Sequence, residues 1–331
     1  MTFSTPRILV TGGAGYIGSH VVLALSDAGF ACAVVDNLQT GDGGVVPADA
    51  PLFAGDVGDG AFLDAVFRQY RPDAVVHLAA STVVSESLAH PLAYYRNNTA
   101  ASLTLLETMV AHGVPLLIFS STAAVYGVTD AEPVDEEAPT RPINPYGASK
   151  LMVEQMIADA GRAGLCRAVA LRYFNVAGAD PEGRTGQSTP GATALVKVAC
   201  ETAMGERPSL PIYGDDLPTP DGSSVRDYIH VSDIAAAHVA ALRYLLAGGE
   251  SLVANVGYGR GYSVNEVVAA VERATGRPLP REVKGRRPGD PPSVVAANDR
   301  IRRHLDWTPR YADLDVIVAS ALAWEARRRE A

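Results

Sequence analysis

The 331-residue sequence has little cysteine, little lysine and no long hydrophobic run. Cys32, Cys166 and Cys200 sit in apolar segments without paired ligand spacing, which argues against a disulfide scaffold or a zinc site and makes them buried small hydrophobes. The seven histidines form no ligand motif, so no metal is expected. No stretch reaches the roughly 18 apolar residues of a membrane span, and none precedes the first strand as a signal peptide would. A cytoplasmic protein without a membrane partner is therefore expected. Cationic charge is also short: the net charge of −9 disfavours a nucleic-acid surface and requires local arginines if a compact anion is bound. The run Arg327-Arg328-Arg329 suits the exposed C-terminus of a last helix. Repeats and low-complexity tracts are lacking too. What the chain does have is 47% hydrophobic residues and a mean hydropathy of +0.07, enough for a buried core.

The most informative stretch is Val10-Thr11-Gly12-Gly13-Ala14-Gly15-Tyr16-Ile17-Gly18, which closes a short apolar run and opens an apolar helical one. It reads as strand, tight turn, helix. Gly12 and Gly15 let the backbone turn and approach a pyrophosphate, and Gly18 lets the helix pack closely on the sheet. The helix N-terminus then offers free N–H groups to phosphate. A second apolar run, Ala31 to Val35, ends in Asp36, where a carboxylate at a strand tip suits the two hydroxyls of an adenosine ribose. NAD is thus expected rather than NADP.

Strand and helix patterns then alternate. Leu52 to Asp56, Ala74 to Ala80, Leu116 to Ser120, Ala168 to Arg172 and Leu252 to Val256 read as strands. Asp59 to Tyr70 reads as a helix, as does a long segment after Pro91 with Leu103, Leu106 and Val110 at helical spacing. Such alternation indicates an α/β fold, a doubly wound parallel (Rossmann) sheet covered on both faces. His77, inside an apolar strand, reads as a core histidine rather than a catalytic one. Beyond Phe174-Asn175 the pattern turns rich in glycine and proline, with helices near Thr193 to Met204 and Val231 to Ala247 and a capping box at Ser263-Val264-Asn265-Glu266. The expected division is a nucleotide-binding domain, residues 1–175 with 227–257 returning to it, and a smaller mixed α/β lobe, 176–226 and 258–331.

Ligands bind beyond the carboxyl ends of such strands. There, Ser120-Ser121-Thr122 is followed by Tyr146-Gly147-Ala148-Ser149-Lys150 at the start of a second helix. Tyr146 and Lys150, four apart, share one helical face, and an ammonium there would lower the tyrosine pKa from about 10. That pairing suits proton transfer to or from a hydroxyl.

With Arg172-Tyr173-Phe174-Asn175 and the segment Asp221 to Val231, these motifs resemble the extended short-chain dehydrogenase/reductase family across nearly the whole chain, and within it the members that invert C4 of UDP-hexoses. The resemblance implies a tightly held NAD, with Tyr146 taking the 4-hydroxyl proton, Lys150 holding the nicotinamide ribose and Thr122 bonding the same oxygen. On the cofactor side it implies Gly12, Gly15, Tyr16, Ile17, Gly18, Asp36, Asn37, Asp56, Val57, Ala79, Ala80, Asn97, Tyr173 and Phe174, besides Tyr146 and Lys150. On the UDP-sugar side it implies Arg226 and Arg287 at the diphosphate, Asp290 at the uridine ribose, Tyr213 at the uracil and Asn175 near the phosphate–sugar link, besides Thr122 and Tyr146. It also implies a homodimer built on the helices after Pro91 and from Tyr146.

Three positions depart from the family pattern. Thr82 stands at a frequent lysine, Ala194 at a frequent asparagine or histidine, and Val294 at a tyrosine that narrows the sugar pocket. Val294 suggests that N-acetylated UDP-hexosamines are also accepted; Ala194 leaves a UDP-pentose or UDP-uronic acid open. A sugar-nucleotide 4,6-dehydratase is disfavoured because Ala123 and Ala124, after Thr122, carry no acid. A non-catalytic NAD-binding regulator would have no use for Thr122, Tyr146 and Lys150 together.

Overall fold

The computed structural model describes residues 5–129, 132–287 and 291–330. Its strands are β1 (Arg7–Thr11), β2 (Ala31–Asp36), β3 (Leu52–Ala54), β4 (Ala74–His77), β5 (Leu116–Thr122), β6 (Arg167–Tyr173), β7 (Asn175–Ala177), β8 (Leu210–Tyr213), β9 (Val225–His230), β10 (Leu252–Val256), β11 (Gly261–Ser263), β12 (Arg281–Lys284) and β13 (Ser293–Val294). The helices are α1 (Tyr16–Asp27), α2 (Gly60–Tyr70), α3 (Val84–Ala89), α4 (Pro91–Tyr94), α5 (Ala101–Ala111), α6 (Pro145–Arg162), α7 (Leu195–Ala203), α8 (Val231–Leu246), α9 (Val264–Thr275), α10 (Asp299–His304) and α11 (Leu314–Glu330).

Seven strands form one parallel sheet in the order β10-β6-β5-β4-β1-β2-β3. Alternate side chains of β1 explain why it is apolar throughout. Ile8 and Val10 pack with Val21, Val22 and Leu25 of α1 and Ile234 to Leu245 of α8, while Leu9 faces the other way onto Leu63 and Phe67 of α2 and Leu105 of α5. All three are fully buried, each contributing about 1.5–3 kcal/mol by leaving water. After β3 the chain returns to the far side of β1 to lay down β4, so the strand order reverses between β1 and β4, and a crevice opens above their carboxyl ends.

A second sheet sets β9 between β11 and β13, with β7 also pairing to β9, and β8 pairs with β12. Here α7, α9 and α11 enclose Leu210, Ile212 and Tyr228. The segment from 227 is divided between the sheets: β9 belongs to the smaller one, α8 covers the larger one and β10 is its edge strand. Under α7 and α11, Lys197 lies 2.5 Å from Glu325 and 3.2 Å from Glu201, so an ammonium already neutralises this carboxylate cluster.

The long helix expected after Pro91 is not regular. Between α4 and α5 the backbone widens to π geometry over Tyr95–Ala100, the stretch that carries Asn97 and Asn98.

Candidate active site

The first wall of the crevice is the turn after β1. Gly12 has φ +73°, and a Cβ on it would come within 2.6 Å of the Ala79 nitrogen at the exit of β4. A Cβ on Gly18 would sit 2.0 Å from the Gly12 carbonyl oxygen, so α1 can start this close to the turn only with glycine there. Gly15 caps α1 without a side chain, leaving the first N–H groups open to an anion. Tyr16 and Ile17 begin the helix, but the Tyr16 hydroxyl donates to the Gly178 carbonyl at 2.7 Å and Ile17 packs on the core. At these two positions the backbone, not the side chain, is left to meet an anion.

Asp36 ends β2. Its carboxylate accepts from the Ala14 N–H at 3.0 Å and the Leu38 N–H at 2.9 Å, which leaves lone pairs for a ribose diol. Beside it the Asn37 amide donates to Asp56 at 3.0 Å, and Asp56 also accepts from the Gly58 N–H at 2.7 Å. Val57 is buried in the apolar layer below. The donor-lined glycine turn with a carboxylate at the next strand tip fits an NAD-type dinucleotide.

At the β4 exit, Ala79, Ala80 and Ser81 are half-buried. The π stretch aims two asparagines at them. Asn98 accepts from the Ser81 N–H at 2.8 Å and donates to the Ser81 carbonyl and the Ser149 hydroxyl, each at 3.0 Å, while Asn97 donates to the Ser81 hydroxyl at 2.9 Å. His77 is a satisfied core residue: Nδ1 meets the Thr11 hydroxyl at 2.6 Å and Nε2 the Ser102 hydroxyl at 2.8 Å. Burial, aided by the Lys150 charge, pushes its pKa down to about 3.

Thr122, Tyr146 and Lys150, the residues expected to react, come together where β5 ends and α6 begins. Asn144 caps α6 by accepting from the Gly147 N–H at 2.9 Å, and Pro145 takes the first helical position, which places Tyr146 at the mouth of the helix. A Cβ on Gly147 would lie 2.4 Å from the Ala124 carbonyl oxygen, so this glycine lets α6 close on the turn after Thr122. The Thr122 hydroxyl accepts from the Ala124 N–H at 3.1 Å and lies close enough to the hydroxyl of the half-buried Tyr146 to pull its pKa down. Tyr94 meets the Tyr146 ring edge-on, with centroids 6.4 Å apart.

Lys150 is 2% exposed, donates to the Ser120 carbonyl at 2.9 Å and lies 4.9 Å from the centre of the Phe119 ring. The expected direction of the tyrosine shift is not found. Burial raises the Tyr146 pKa, and the opposing pull comes from Thr122 rather than Lys150. Desolvation instead draws Lys150 itself down to about 7, against the charge of Glu154. Proximity along a helix did not reveal how dry both groups are.

Tyr173 and Phe174 leave β6 beside this centre, but the Tyr173 hydroxyl bonds to His238 and Phe174 packs with Val125, Tyr126 and Val294. Asn175 is exposed at the start of β7. In the smaller lobe, Arg226 directs its guanidinium to the carbonyls of Val225 at 2.7 Å, Pro291 at 2.7 Å and Pro292 at 3.3 Å, fastening β9 to the chain entering β13. Arg287 stacks 3.6 Å above the Tyr213 ring. Asp290 lies outside the described residues. Ala194 caps α7 without a side-chain bond, Thr82 stays in the exit loop of β4, and Val294 is buried in β13.

Sequence reasoning overlooked three supporting groups: Asn98, Ser149 and the buried pair Glu154–Arg172. Glu154 did carry a signal, since it stands four residues beyond Lys150 on the same helical face.

Residues 8–257 match the NAD dependent epimerase/dehydratase family. The UDP-glucose 4-epimerase of Azospirillum brasilense is 58% identical over 324 residues, spanning 98% of this chain and 93% of that protein. A UDP-glucose 4-epimerase from Brucella ovis, crystallised with NAD, superimposes with a TM-score of 0.93 at 43% identity over 96% of this chain and 98% of its own. A UDP-Glc/GlcNAc 4-epimerase from Campylobacter jejuni gives a TM-score of 0.85 at 44% identity over 97% of this chain and 99% of its own. On its turn, its sheet and these likenesses, the chain belongs to the NAD dependent epimerase/dehydratase family.

Proposed function

We infer that the protein inverts C4 of a UDP-hexose, interconverting UDP-galactose and UDP-glucose through a transient 4-keto sugar. The observation that carries this reading is the meeting of Thr122, Tyr146 and Lys150 at the strand exits, on the side where the glycine turn and Asp36 form a dinucleotide cradle. NAD, when bound, supplies the acceptor and donor of the C4 hydride.

The phenolate of Tyr146 takes the proton of the sugar 4-hydroxyl as C4 is oxidised and returns it when C4 is reduced on the opposite face. Thr122 holds the same oxygen and opposes the rise in the Tyr146 pKa that burial causes. Lys150 finds further acceptors in a ribose diol, which would help keep its ammonium charged beside the phenolate. Gly12, Gly15, the first turn of α1, Asp36, Asn37, Asp56 and Asn97 hold the dinucleotide.

For the keto sugar to turn over, the nucleotide must stay anchored. Arg226 and Arg287 neutralise the diphosphate, Tyr213 with its stacked guanidinium takes the uracil, Asn175 bonds the phosphate–sugar link and Asp290 the ribose hydroxyls. The residues around β7, β8, β9 and β13 are accordingly the sugar-nucleotide lobe. Val294 leaves space for an N-acetyl group.

Exposed apolar side chains on α4, α5 and α6 support a homodimer: Leu92 is 77% exposed, and Leu103, Val110 and Met152 are exposed as well. Among the described residues no helix is long and apolar enough to cross a membrane. Three buried free thiols suit a reducing compartment, and we assign the protein to the cytoplasm.

The test is incubation of the purified protein with UDP-galactose and no added NAD. UDP-glucose should form with the wild type and not with Tyr146→Phe; equal turnover by the variant would remove Tyr146 from its role.

A further inference from the structure

Three consecutive residues at the β5 exit each engage one residue of α6. Thr122 meets Tyr146, the Ser120 carbonyl receives the ammonium of Lys150 at 2.9 Å, and the Ser121 hydroxyl donates to the carboxylate of Glu154. Tyr146, Lys150 and Glu154 are spaced by four and form one helical stripe. The first two belong to the proton-transfer centre; the third has no part in it so far.

Glu154 is 8% exposed and held from the neighbouring strand. Arg172 of β6, in register with Ser121, donates through Nε at 3.0 Å and Nη2 at 2.6 Å to its two oxygens. The remaining arm of Arg172 donates to the Tyr126 hydroxyl at 2.9 Å, which in turn donates to Asn255 at 2.7 Å. Burying an ion pair costs about as much as its attraction returns, and well-packed apolar residues of the same volume are often as stable. Stability alone is thus a poor reason for this pair. Among the described residues, the ammonium of Lys150 makes no salt bridge, and Glu154 is the carboxylate that bears on it along α6.

We propose that Glu154 is a positioning residue for proton transfer at Tyr146, acting through Lys150, with Arg172 and Ser121 holding its carboxylate in place. Its negative charge keeps the desiccated lysine in the ammonium form, and its grip on β5 and β6 fixes the rotation at which α6 presents Tyr146 to Thr122. The proposal rests on the reading of Tyr146 and Lys150 as the reactive pair.

The charges around Lys150 support this assignment. Tyr146 and Glu154 come from α6, and His77, neutral at working pH, from β4. Arg172 comes from β6, bound to Glu154, and Tyr173, on the same strand, is engaged by His238. From β5 Lys150 meets a carbonyl and an aromatic ring, neither of them charged. Glu154 is the group that raises the Lys150 pKa against its burial.

The chain has only three lysines, Lys150, Lys197 and Lys284, so isotope-labelled lysine allows the titration of Lys150 to be followed by NMR, assigned with Lys150→Met. Glu154→Gln strands the Arg172 cation, so it is paired with Glu154→Gln/Arg172→Met, which removes both charges, and with Glu154→Asp. In the folded variants lacking Glu154 the Lys150 midpoint should fall by about one pH unit, a tenfold change in its charged-to-neutral ratio. The basic limb of kcat should move down with it, while KM for UDP-galactose changes less than about twofold. Glu154→Asp should recover part of both shifts. A folded variant lacking Glu154, single or double, with a wild-type lysine midpoint overturns the proposal, even if kcat has dropped; if neither folds, a Glu154→Asp midpoint above the wild-type value overturns it, because the shorter carboxylate should support the ammonium less. The lysine titration needs no turnover, so a wild type that titrates as described but does not epimerise would refute the functional reading and leave the Glu154–Lys150 coupling standing.

Discussion

Gly15 and Gly18 lie three residues apart in one turn, yet the structure gives an added methyl group opposite consequences at the two sites. At Gly18 the new Cβ would lie 2.0 Å from the Gly12 carbonyl oxygen and 2.8 Å from both the Gly12 carbonyl carbon and the Gly13 Cα. These are backbone atoms that cannot swing aside, so α1 must move off the turn. Overpacking of this kind costs about 1–3 kcal/mol and here also displaces the open N–H groups at the start of α1. At Gly15 the backbone is extended, with φ −80° and ψ 176°, a conformation open to alanine, and an added Cβ would come no closer than 3.3 Å to the Gly12 oxygen. Gly15→Ala should therefore change stability by no more than about 1 kcal/mol in either direction. On the proposed placement of NAD its methyl group instead occupies the approach of the pyrophosphate. Thermal denaturation, with the NAD released on unfolding measured alongside, separates the two effects. Gly18→Ala should lose both stability and NAD; Gly15→Ala should keep its melting temperature and lose NAD. A Gly18→Ala protein with unchanged melting and full NAD content would refute the close packing of α1 on the turn, and a fully loaded Gly15→Ala protein would refute the placement of the pyrophosphate.

Removing the Thr122 hydroxyl with Thr122→Ala takes away the group that lowers the Tyr146 pKa, so the acidic limb of the kcat–pH profile should shift to higher pH, with Thr122→Ser close to wild type. Lys197→Met should destabilise the smaller lobe by about 1.5–3 kcal/mol in denaturant titration, because it removes the ammonium 2.5 Å from Glu325, 1% exposed, and leaves that carboxylate only Arg328, 2.9 Å away. Val294→Tyr should cut turnover of UDP-N-acetylgalactosamine relative to UDP-galactose by about tenfold or more, as measured by kcat/KM on the two substrates.

The nucleotide half of the protein was legible because its constraints are local. A strand buried on both faces must be apolar, a turn that brings α1 onto Gly12 must have glycine, and a helix opening with Pro145 after a capping Asn144 places Tyr146 and Lys150 four apart. Each of these leaves a pattern within a few residues. What stayed hidden was settled by groups distant in sequence. The Tyr16 hydroxyl reaches Gly178, 162 residues away, and Asn98 reaches Ser149, 51 residues away. Neither bond leaves a period that one sequence could display. The π widening at Tyr95–Ala100 interrupts the long helix expected after Pro91 just upstream of the regular α5 that carries Leu103, Leu106 and Val110, because apolar spacing within α5 does not record how the backbone bonds a turn earlier. The sign of the Tyr146 shift failed for a related reason: spacing put a cation nearby, while the dryness that raises its pKa and lowers that of Lys150 depends on the packing of β4, β5 and β6 around them. In the smaller lobe the sequence pattern marked Arg226 as a cation, but the carbonyls of Pro291 and Pro292 reach its guanidinium through the pairing of β9 with the chain at β13.

The central claim is that C4 is oxidised and reduced by one hydride that never leaves the site, with Tyr146 handling the proton. UDP-galactose carrying deuterium at C4, supplied to the purified protein in ordinary water without added NAD, tests it directly by mass spectrometry and NMR of the product. The account predicts UDP-glucose that retains the deuterium at C4. Product that has exchanged its label for solvent hydrogen, or no product from protein shown to contain NAD, would contradict it.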